Sequence, residues 1–281
     1  MSLFDTVLLA AQRPGQRNAL AEKHGVTHKC LVPIAGVSLI ERMLSTLTGH
    51  RGCRAIHLVI EEEGFAAVGS LLEQFKRPDL QIHHILPSPS IMESALAGCR
   101  NAAAPYVITT ADNVLLSHTA IDTMLTGLAG GASALLAFST RPAVHALHEE
   151  AQRHFYKVCG HEIANCNLYA LAGPDALDAA AIFRDGGQFM NHPIRLLRAF
   201  GPENIALGRL GLIGFDTMSK RVSKRLGLTI RAAMMTDGTQ AIDVDNERTY
   251  GVVEAILTGK IDLPPGAGPP QIAMLENDDQ R

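Results

Sequence analysis

Three basic residues follow the first short apolar run of the chain, residues 6–10 (TVLLA). Arg13, Arg17 and Lys29 supply the positive charge that a bound triphosphate requires. A tight turn after a strand can also present backbone N–H groups to phosphate oxygens. The segment has no GKS or GKT of a Walker loop, and Gly15 is the only glycine of the turn, so it is not a GxGxxG fingerprint either. The pattern predicts a phosphate-binding turn of another type, and the alternative is an ordinary surface loop.

Acidic residues stand in two later segments. Asp112 follows the apolar run 106–111 (YVITTA), and Asp243 and Asp245 lie in residues 241–246 (AIDVDN), just before an amphipathic segment. A carboxylate at the end of a strand can hold Mg²⁺, which bridges phosphates and neutralises charge as the bond to pyrophosphate breaks. The alternative is that these side chains only cap helices.

The composition excludes several classes of protein. The 281 residues carry a formal net charge of −3, which argues against a broad nucleic-acid footprint. No stretch approaches the roughly 20 consecutive apolar residues that span a bilayer. The basic amphipathic segment 215–226 allows peripheral contact with a membrane surface, although such a helix more often packs its apolar stripe and solvates its charges.

Cysteines and histidines do not form a recognisable metal motif. The five cysteines are odd in number, scattered and without a CxxC pair, which favours a reducing, cytoplasmic location over a disulfide scaffold. Several histidines and two cysteines lie within residues 145–166, but this region has no HExxH, and its ligands would straddle a strand and a turn. We expect surface histidines and buried thiols there rather than a zinc site.

Short apolar runs alternate with longer amphipathic runs along the first half of the chain. The predicted strands are 6–10, 55–60, 81–86, 106–111 and 133–139, and the predicted helices are 37–47, 66–76, 91–103 and 117–128. This alternation predicts an α/β fold whose central sheet is mixed but mainly parallel, with helices on both faces. Such a sheet binds ligands beyond the carboxyl ends of its strands.

After residue 141 the rhythm changes. The sequence predicts strands at 153–159, 167–171, 228–235 and 241–244 and helices at 174–183, 192–200, 215–226 and 247–257. We therefore expect one domain over residues 1–261, with a largely helical insertion at about 141–235. Residues 262–281 contain PPGAGPP and ENDDQR, which predicts a flexible tail.

Residues 29–40 (KCLVPIAGVSLI) carry the most specific motif. They resemble the K-x-L-x-P-x-x-G-x-P-L-I segment of the MobA-like nucleotidyltransferases, which have the glycosyltransferase-A-type fold, with Ser38 where proline is usual. The turn after the first strand resembles the family's LAAG-type turn, with Gln12 in the place of glycine and the arginine spacing offset by one. The resemblance covers residues 5–140 and 241–257, and it implies a Rossmann-like fold of the nucleotide-diphospho-sugar transferase type.

The resemblance also implies a role for each matching residue. Lys29, with Arg13 or Arg17, would stabilise the charge on the phosphates. Asp112 and Asp245 would hold the metal, with Asp243 in reserve. The nucleotide would contact the opening turn and the end of the strand before Asp112, at Leu9, Ala10, Ala11, Gln12, Gly15 and Ala111.

Two further segments resemble relatives. Residues 91–102 (IMESALAGCRNA) resemble the part of methylerythritol-phosphate cytidylyltransferases in which a serine at a helix start contacts the nucleotide. Ser94 takes that place, with Ser88 and Ser90 nearby, and the alternative is an ordinary helix with Ser90 as its N-cap. Asn165 and Asn167 resemble the acceptor-binding asparagines of sugar-phosphate members, unless they serve only as buried structural hydrogen-bonding groups.

The implied protein is a cytoplasmic, Mg²⁺-dependent nucleotidyltransferase. It would transfer a nucleoside monophosphate from a nucleoside triphosphate (NTP) to a phosphorylated small-molecule acceptor and release pyrophosphate. CTP is weakly preferred, and GTP and UTP stay open. One alternative is a metal-dependent glycosyltransferase that uses a nucleotide-sugar, but residues 109–113 (TTADN) supply one aspartate rather than a D-x-D. The other is a non-catalytic nucleotide-binding protein, which Gln12 in place of glycine favours.

Overall fold

The computed structural model describes residues 2–12, 18–180 and 200–270, with side chains up to 177 in the second range. The strands of these ranges are Phe4–Leu9 (β1), Pro33–Ile34 (β2), Val37–Ser38 (β3), Cys53–Val59 (β4), Gln81–Ile85 (β5), Tyr106–Thr110 (β6), Ala134–Thr140 (β7), Tyr156–Val158 (β8), His161–Leu171 (β9) and Ile230–Met235 (β10). The helices are Ala19–Lys23 (α1), Leu39–Gly49 (α2), Glu62–Gln74 (α3), Ile91–Arg100 (α4), His118–Ala129 (α5), Arg141–His145 (α6), Pro174–Ala180 (α7), Pro202–Arg209 (α8), Phe215–Leu226 (α9) and Glu247–Leu257 (α10).

Eight of these strands form one mixed sheet. Its order is β10-β7-β9-β6-β1-β4-β5, and β8 pairs with β9 outside this path. The pairs β1–β4, β1–β6, β4–β5 and β7–β10 are parallel. Only the contacts of β9 are antiparallel in this described sheet, because that strand returns between β6 and β7. The predicted mixed, mainly parallel sheet is therefore confirmed.

Helices cover both faces of the sheet, as the alternation of side chains in a strand requires. In β1, Leu8 packs in a large apolar cluster with Leu44 of α2. Its neighbour Val7 points to the other face and packs in a second cluster with Leu96 of α4. The two clusters explain why the central strands are apolar along their whole length rather than on alternate residues.

Side-chain caps set the start of the helices near the carboxyl edge of the sheet. Ser38 Oγ accepts a hydrogen bond from the Glu41 backbone N–H at 3.3 Å and so begins α2. This explains a serine where the resemblance expects proline. At α10, Asn246 and Thr249 form a reciprocal capping box. The predicted helices 215–226 and 247–257 have the bounds that the structure gives α9 and α10.

One predicted strand is wrong, and one hairpin was not predicted. Residues 241–244 do not form a strand, because residues Gly238–Ala241 form a 3₁₀ turn and the chain then joins the sheet edge through one backbone hydrogen bond, from Val244 N to Asp112 O at 3.0 Å. The hairpin of β2 and β3 was not predicted. Its two turn residues, Ala35 and Gly36, adopt φ values of 46° and 80°. The helix predicted at 192–200 lies outside the described residues except for its last position.

The C-terminal segment is described as far as residue 270. The Leu263 side chain packs against the large apolar cluster. The Gly268 backbone N–H donates to Asp237 Oδ2 at 2.9 Å. No helix in the described ranges is both long and apolar enough to cross a membrane.

The register of the central strands determines where a ligand can bind. Leu9 of β1 lies opposite Val59 of β4 and Thr110 of β6. The residues that follow these three strands therefore emerge at one edge of the sheet, with the turn after β1 between the other two. Lys29 and the segment around residue 245 reach the same edge from other parts of the chain.

Candidate active site

Lys29 lies between two aspartates at the carboxyl edge of the sheet. Its Nζ atom is 2.5 Å from Asp112 Oδ2 and 2.7 Å from Asp245 Oδ1. Asp112 follows β6, Asp245 precedes α10, and Lys29 begins a short 3₁₀ helix after α1. The three side chains are 83 and 216 positions apart along the chain, so only the fold brings them together.

The two carboxylates determine the charge state of the lysine. Burial alone would lower the pKa of Lys29, but Asp112 and Asp245 outweigh burial and raise that pKa above its ordinary value. Burial would raise the pKa of Asp112, yet the Lys29 ammonium reverses this effect and lowers it. At neutral pH the site therefore holds an ammonium group against at least one ionised, partly buried carboxylate.

Asp243 lies behind this pair. Its side chain is buried, and its Oδ2 accepts a hydrogen bond from Asn167 Nδ2 at 2.6 Å. Burial, and then repulsion by Asp112 and Asp245, holds the pKa of Asp243 well above its usual range. Asp245 is more exposed and contacts Lys29 directly. The exposed carboxylate and the buried one therefore occupy different environments two residues apart.

The two predicted acceptor-side asparagines stand in a local irregularity of β9. The pairing of β7 with β9 shifts register beside them, and Asn167 has a φ of 46°. Asn165 Nδ2 donates to Asn167 Oδ1 at 3.0 Å and to the Tyr169 hydroxyl at 2.5 Å. Asn167 therefore contacts the Asp243 carboxyl group directly, and Asn165 contacts Asn167.

Gln12 connects the turn after β1 with the segment that carries Lys29. Its Nε2 donates to Thr27 O at 3.1 Å, and its Oε1 accepts from the Lys29 backbone N–H at 3.4 Å. Its own backbone N–H donates to Glu61 Oε1 at 2.6 Å. A glycine at position 12 would keep only the last of these bonds.

The remaining predicted nucleotide contacts divide into two groups. Leu9, Ala10, Ala11 and Ala111 lie at the carboxyl ends of β1 and β6, where the Ala111 backbone N–H donates to Leu9 O at 2.9 Å. Arg13, Gly15 and Arg17 lie outside the described residues.

The serine segment is held together by its own hydrogen bonds. Ser90 Oγ accepts from the Glu93 backbone N–H at 3.1 Å and caps α4, as the alternative interpretation expected. Ser94 is buried, and its hydroxyl bonds to the backbone N–H and carbonyl of Ser88. In this structure the Ser94 hydroxyl therefore fixes the loop after β5.

A cavity of about 430 Å³ opens beside Asp245. Sequence reasoning missed most of its polar lining. Arg248 lies in the first turn of α10, and its position three residues after Asp245 was a usable signal. Arg153 comes from the segment before β8 and had no such signal. The lining residues are Gln152, Arg153, His154, Asp243, Asp245, Asn246, Arg248 and Thr249.

The described side chains form no ready-made metal site of protein ligands alone. Across the described ranges, no group of three His, Cys, Asp or Glu side chains is placed to hold a metal ion, and this covers the whole stretch 145–166. His145 bonds to Gln152 O, and Cys159 and Cys166 are buried free thiols. At the carboxyl edge, Asp112 Oδ1 is buried without a hydrogen-bond partner among the described residues.

Comparison with known proteins identifies the family. The sequence matches the model of the MobA-like NTP transferase domain over residues 7–192, well over half of the chain. The chain belongs to the MobA-like NTP transferase family. The matched range of this NTP transferase contains Lys29, Asp112 and Asn167 and ends before Asp245. No curated protein matches the sequence.

Solved structures share the fold of this NTP transferase. A hypothetical transferase from Thermus thermophilus has a TM-score of 0.69 at 22% identity, over 89% of this chain and 100% of that one. A 4-diphosphocytidyl-2C-methyl-D-erythritol synthase from Anaerococcus prevotii has 0.56 at 10% identity, over 92% and 99%. A CMP:2-keto-3-deoxy-manno-octonic acid synthetase complexed with CTP has 0.57 at 12% identity, over 92% and 100%. The predicted nucleotide-diphospho-sugar transferase type of fold is therefore confirmed. The family match, rather than the structural likeness, shows that the protein is a transferase that acts on a nucleotide.

Proposed function

We propose that this NTP transferase moves a nucleoside monophosphate from an NTP to a phosphorylated small-molecule acceptor and releases pyrophosphate. The observation that carries the proposal is Lys29 Nζ within hydrogen-bond distance of both Asp112 and Asp245. One cation and two carboxylates at the carboxyl edge of a mainly parallel sheet suit the binding of phosphates and a metal. The enzyme would be of the EC 2.7.7 type.

The proposed chemistry is an in-line displacement. An oxygen of the acceptor phosphate attacks the α-phosphorus, a new P–O bond forms, and the bond to the β-phosphate oxygen breaks with its electron pair leaving on pyrophosphate. The acceptor phosphate is already an anion at neutral pH, so the step needs no general base. The protein's part is positioning and electrostatic stabilisation.

Lys29 would stabilise the charge that shifts to the leaving pyrophosphate. An ammonium group has three donors, and two of them bond to Asp112 and Asp245. The third donor is left for a phosphate oxygen. Gln12 would help by holding the backbone of Lys29 in place. Arg13 or Arg17 would add further positive charge from the opening turn.

Mg²⁺ fits the donor set that Asp112 and Asp245 offer. This ion is commonly held through one or two carboxylates together with substrate phosphates and water, so a third protein ligand is not needed. The buried Asp112 Oδ1, which makes no hydrogen bond within the described part of the chain, is a suitable ligand atom. Asp112 and Asp245 would hold the ion, which would supply positive charge against the charge that develops on the phosphates.

CTP is the proposed first choice of nucleotide. Support comes from the likeness of residues 91–102 to the methylerythritol-phosphate cytidylyltransferase segment and from the fold shared with a synthetase solved with CTP. Ser94 would act by shaping the Ser88 loop, because its hydroxyl already bonds to the Ser88 backbone. A cytoplasmic location stays a prediction from the cysteine pattern.

A matrix of nucleotides against acceptors tests the proposed function. Each of CTP, GTP, UTP and ATP is incubated with sugar phosphates, polyol phosphates and lipid head-group precursors in the presence of Mg²⁺, and pyrophosphate is measured. We expect pyrophosphate from at least one pair, and the most from a CTP pair. In a parallel incubation with nucleotide-sugars in place of the NTPs, consumption of the nucleotide-sugar without pyrophosphate would instead support a glycosyltransferase. NTP binding without turnover across the matrix would support a non-catalytic nucleotide-binding protein.

A further inference from the structure

The cavity beside Asp245 has a composition that the proposed function does not yet explain. Its volume of about 430 Å³ is that of a small-molecule pocket rather than a surface for a polymer. One wall carries Asp243 and Asp245, which belong to the carboxylate cluster of the site. Arg153 and Arg248 also line it, and the proposed function gives neither of them a role.

We infer that this cavity holds the acceptor and that Arg153 and Arg248 bind an oxyanion group of it, a phosphate or a carboxylate. The inference rests on the proposed function, because it takes Asp245 and Lys29 as the site of phosphoryl chemistry. It adds the residues that select the acceptor. We call Arg153 and Arg248 the arginine pair.

Glu150 holds both members of the arginine pair in place. Arg153 Nε donates to Glu150 Oε2 at 3.0 Å, and Arg248 Nη1 donates to the Glu150 backbone carbonyl. A guanidinium group has five N–H donors in a planar fork, so each arginine keeps donors for a ligand. The anchoring reduces the side-chain freedom that would be lost when an anion binds.

Charge also favours an anion at this position. Burial, followed by the positive charge of Arg153, lowers the pKa of Arg248, which places the two guanidinium groups near enough to repel each other. The Glu150 carboxylate forms an exposed salt bridge with Arg153 and so offsets part of this repulsion. An oxyanion between two guanidinium groups would offset the rest and could bond to both.

The cavity wall offers a polar contact for the rest of the acceptor as well. Asp243 Oδ1 is buried, lies on a residue that lines the cavity, and has no hydrogen-bond partner among the residues described. Buried polar atoms are rarely left without partners. A hydroxyl group of the acceptor would complete its hydrogen bonding. The expected acceptor is therefore a small polyol or sugar derivative with an oxyanion group.

A three-carbon series tests the inference on the full chain with Mg²⁺. Glycerol 3-phosphate, D-glycerate and glycerol share a skeleton and differ in a phosphate, a carboxylate or no anion. Binding is measured by calorimetry for the wild type, Arg248→Gln, Arg153→Gln and Arg51→Gln. Arg51 is an exposed arginine just before β4, at the amino edge of the sheet, and serves as the matched control.

We expect the wild type to bind at least one of the two anions and not glycerol. Tighter binding of glycerol 3-phosphate would identify the oxyanion as a phosphate, and tighter binding of D-glycerate would identify it as a carboxylate. Each arginine-pair substitution should weaken anion binding about tenfold or more, as expected for loss of hydrogen bonds to a charged group. Arg51→Gln should bind like the wild type. Wild-type binding of neither anion, or an unchanged affinity in Arg248→Gln and Arg153→Gln, would overturn the inference.

A second readout separates this inference from the proposed function. The dissociation constant for CTP with Mg²⁺ should be the same in wild type, Arg248→Gln and Arg153→Gln, because the arginine pair faces the acceptor. If the wild type releases no pyrophosphate in any pairing but the arginine pair still binds the anion, the proposed function fails and the oxyanion site stands. A loss of CTP affinity equal to the loss of anion affinity would assign the arginine pair to the nucleotide and overturn the inference.

Discussion

Two groups of charged side chains lie at opposite ends of the central strands, and they differ in how completely they are satisfied. The amino-edge cluster consists of Asp5, Arg54 and His57. Asp5 Oδ1 accepts from Arg54 Nε at 3.0 Å, and Oδ2 accepts from the Ala103 backbone N–H at 2.6 Å and lies 3.3 Å from His57 Nε2. Burial lowers the pKa of His57 despite Asp5, so one carboxylate faces one guanidinium at neutral pH.

The carboxyl-edge cluster consists of Lys29, Asp112, Asp243 and Asp245, and it is not balanced. Three carboxyl groups share one ammonium, and Asp112 Oδ1 and Asp243 Oδ1 make no hydrogen bonds within the described ranges. At the amino edge, His57 Nδ1 also has no described partner, but its ring stacks on His83 at 4.9 Å between centroids. A balanced cluster needs no further ligand, whereas an excess of carboxylates favours a bound cation. Substitutions in the two clusters should therefore affect different properties.

Removal of the ammonium should have the largest effect. Lys29→Ala should lower turnover by roughly a hundred- to a thousandfold, because the charge on the transferred and leaving phosphates loses its preorganised donor. Pyrophosphate release measures this. Lys76→Ala removes a lysine from an exposed ion pair with Glu73 and is the matched control, with unchanged turnover expected. Wild-type-like turnover in Lys29→Ala would remove Lys29 from the mechanism.

The balanced cluster should respond in stability rather than in turnover. Asp5→Asn should lower the free energy of unfolding by about 2 kcal/mol, since it breaks hydrogen bonds to a nearly buried charged group while Arg54 can still reach water. Urea denaturation measures this, and turnover of the folded variant should be unchanged. Asp79→Asn, at an exposed ion pair with Arg77, should cost less than about 1 kcal/mol. A turnover defect in folded Asp5→Asn would contradict the separation of the two clusters.

A smaller effect on catalysis is expected from substitution of Gln12, which stands where the family has glycine. Gln12→Gly should lower kcat/KM for the NTP by roughly thirtyfold at most, because it loses the bonds from Gln12 to Thr27 and Lys29 at about 1 kcal/mol each. Gln12→Glu keeps an acceptor for the Lys29 N–H but has no donor for Thr27, so its loss should be intermediate. A Gln12→Gly variant as active as the wild type would show that Lys29 is positioned without Gln12.

The sequence predicts the parallel strands of the sheet better than it predicts the antiparallel strand β9. Alternating apolar and amphipathic runs were enough for β1, β4, β5 and β6, because buried parallel strands read as continuous apolar runs. The same reasoning placed Asp112 at the end of a strand. It missed β9 as a single long antiparallel strand, because a register shift and a positive φ at Asn167 interrupt its pattern.

Contacts between segments that are far apart in the chain could not be predicted from the sequence. No local pattern could show that Gln12 holds Lys29, or that Arg153 and Asp245 line the same cavity, because both facts depend on how distant segments pack. The choice between Asp243 and Asp245 came from resemblance alone. Burial now distinguishes the two side chains, since Asp243 is enclosed behind Asn167 and Asp245 is exposed beside Lys29.

This difference gives the smallest expected effect and a defined pH dependence. Burial and two neighbouring carboxylates raise the folded-state pKa of Asp243. Its contribution to stability is therefore fully present below its unfolded pKa near 4 and is lost as pH rises toward the folded value. Asp243→Asn keeps an acceptor for Asn167 and cannot ionise. It should match the wild type near pH 3 and become more stable than the wild type by on the order of 1 kcal/mol at pH 7.

Urea denaturation of Asp243→Asn and the wild type at both pH values measures this, with Asp79→Asn as the exposed control. Asp243→Asn should also keep most of its turnover, whereas Asp245→Asn should lose it, because Asp245, unlike Asp243, bonds directly to the Lys29 ammonium. If Asp243→Asn instead loses turnover as severely as Asp245→Asn, the buried carboxylate is the second metal ligand. The cation would then bind at the buried Asp243 carboxylate, farther from solvent than the Lys29 ammonium.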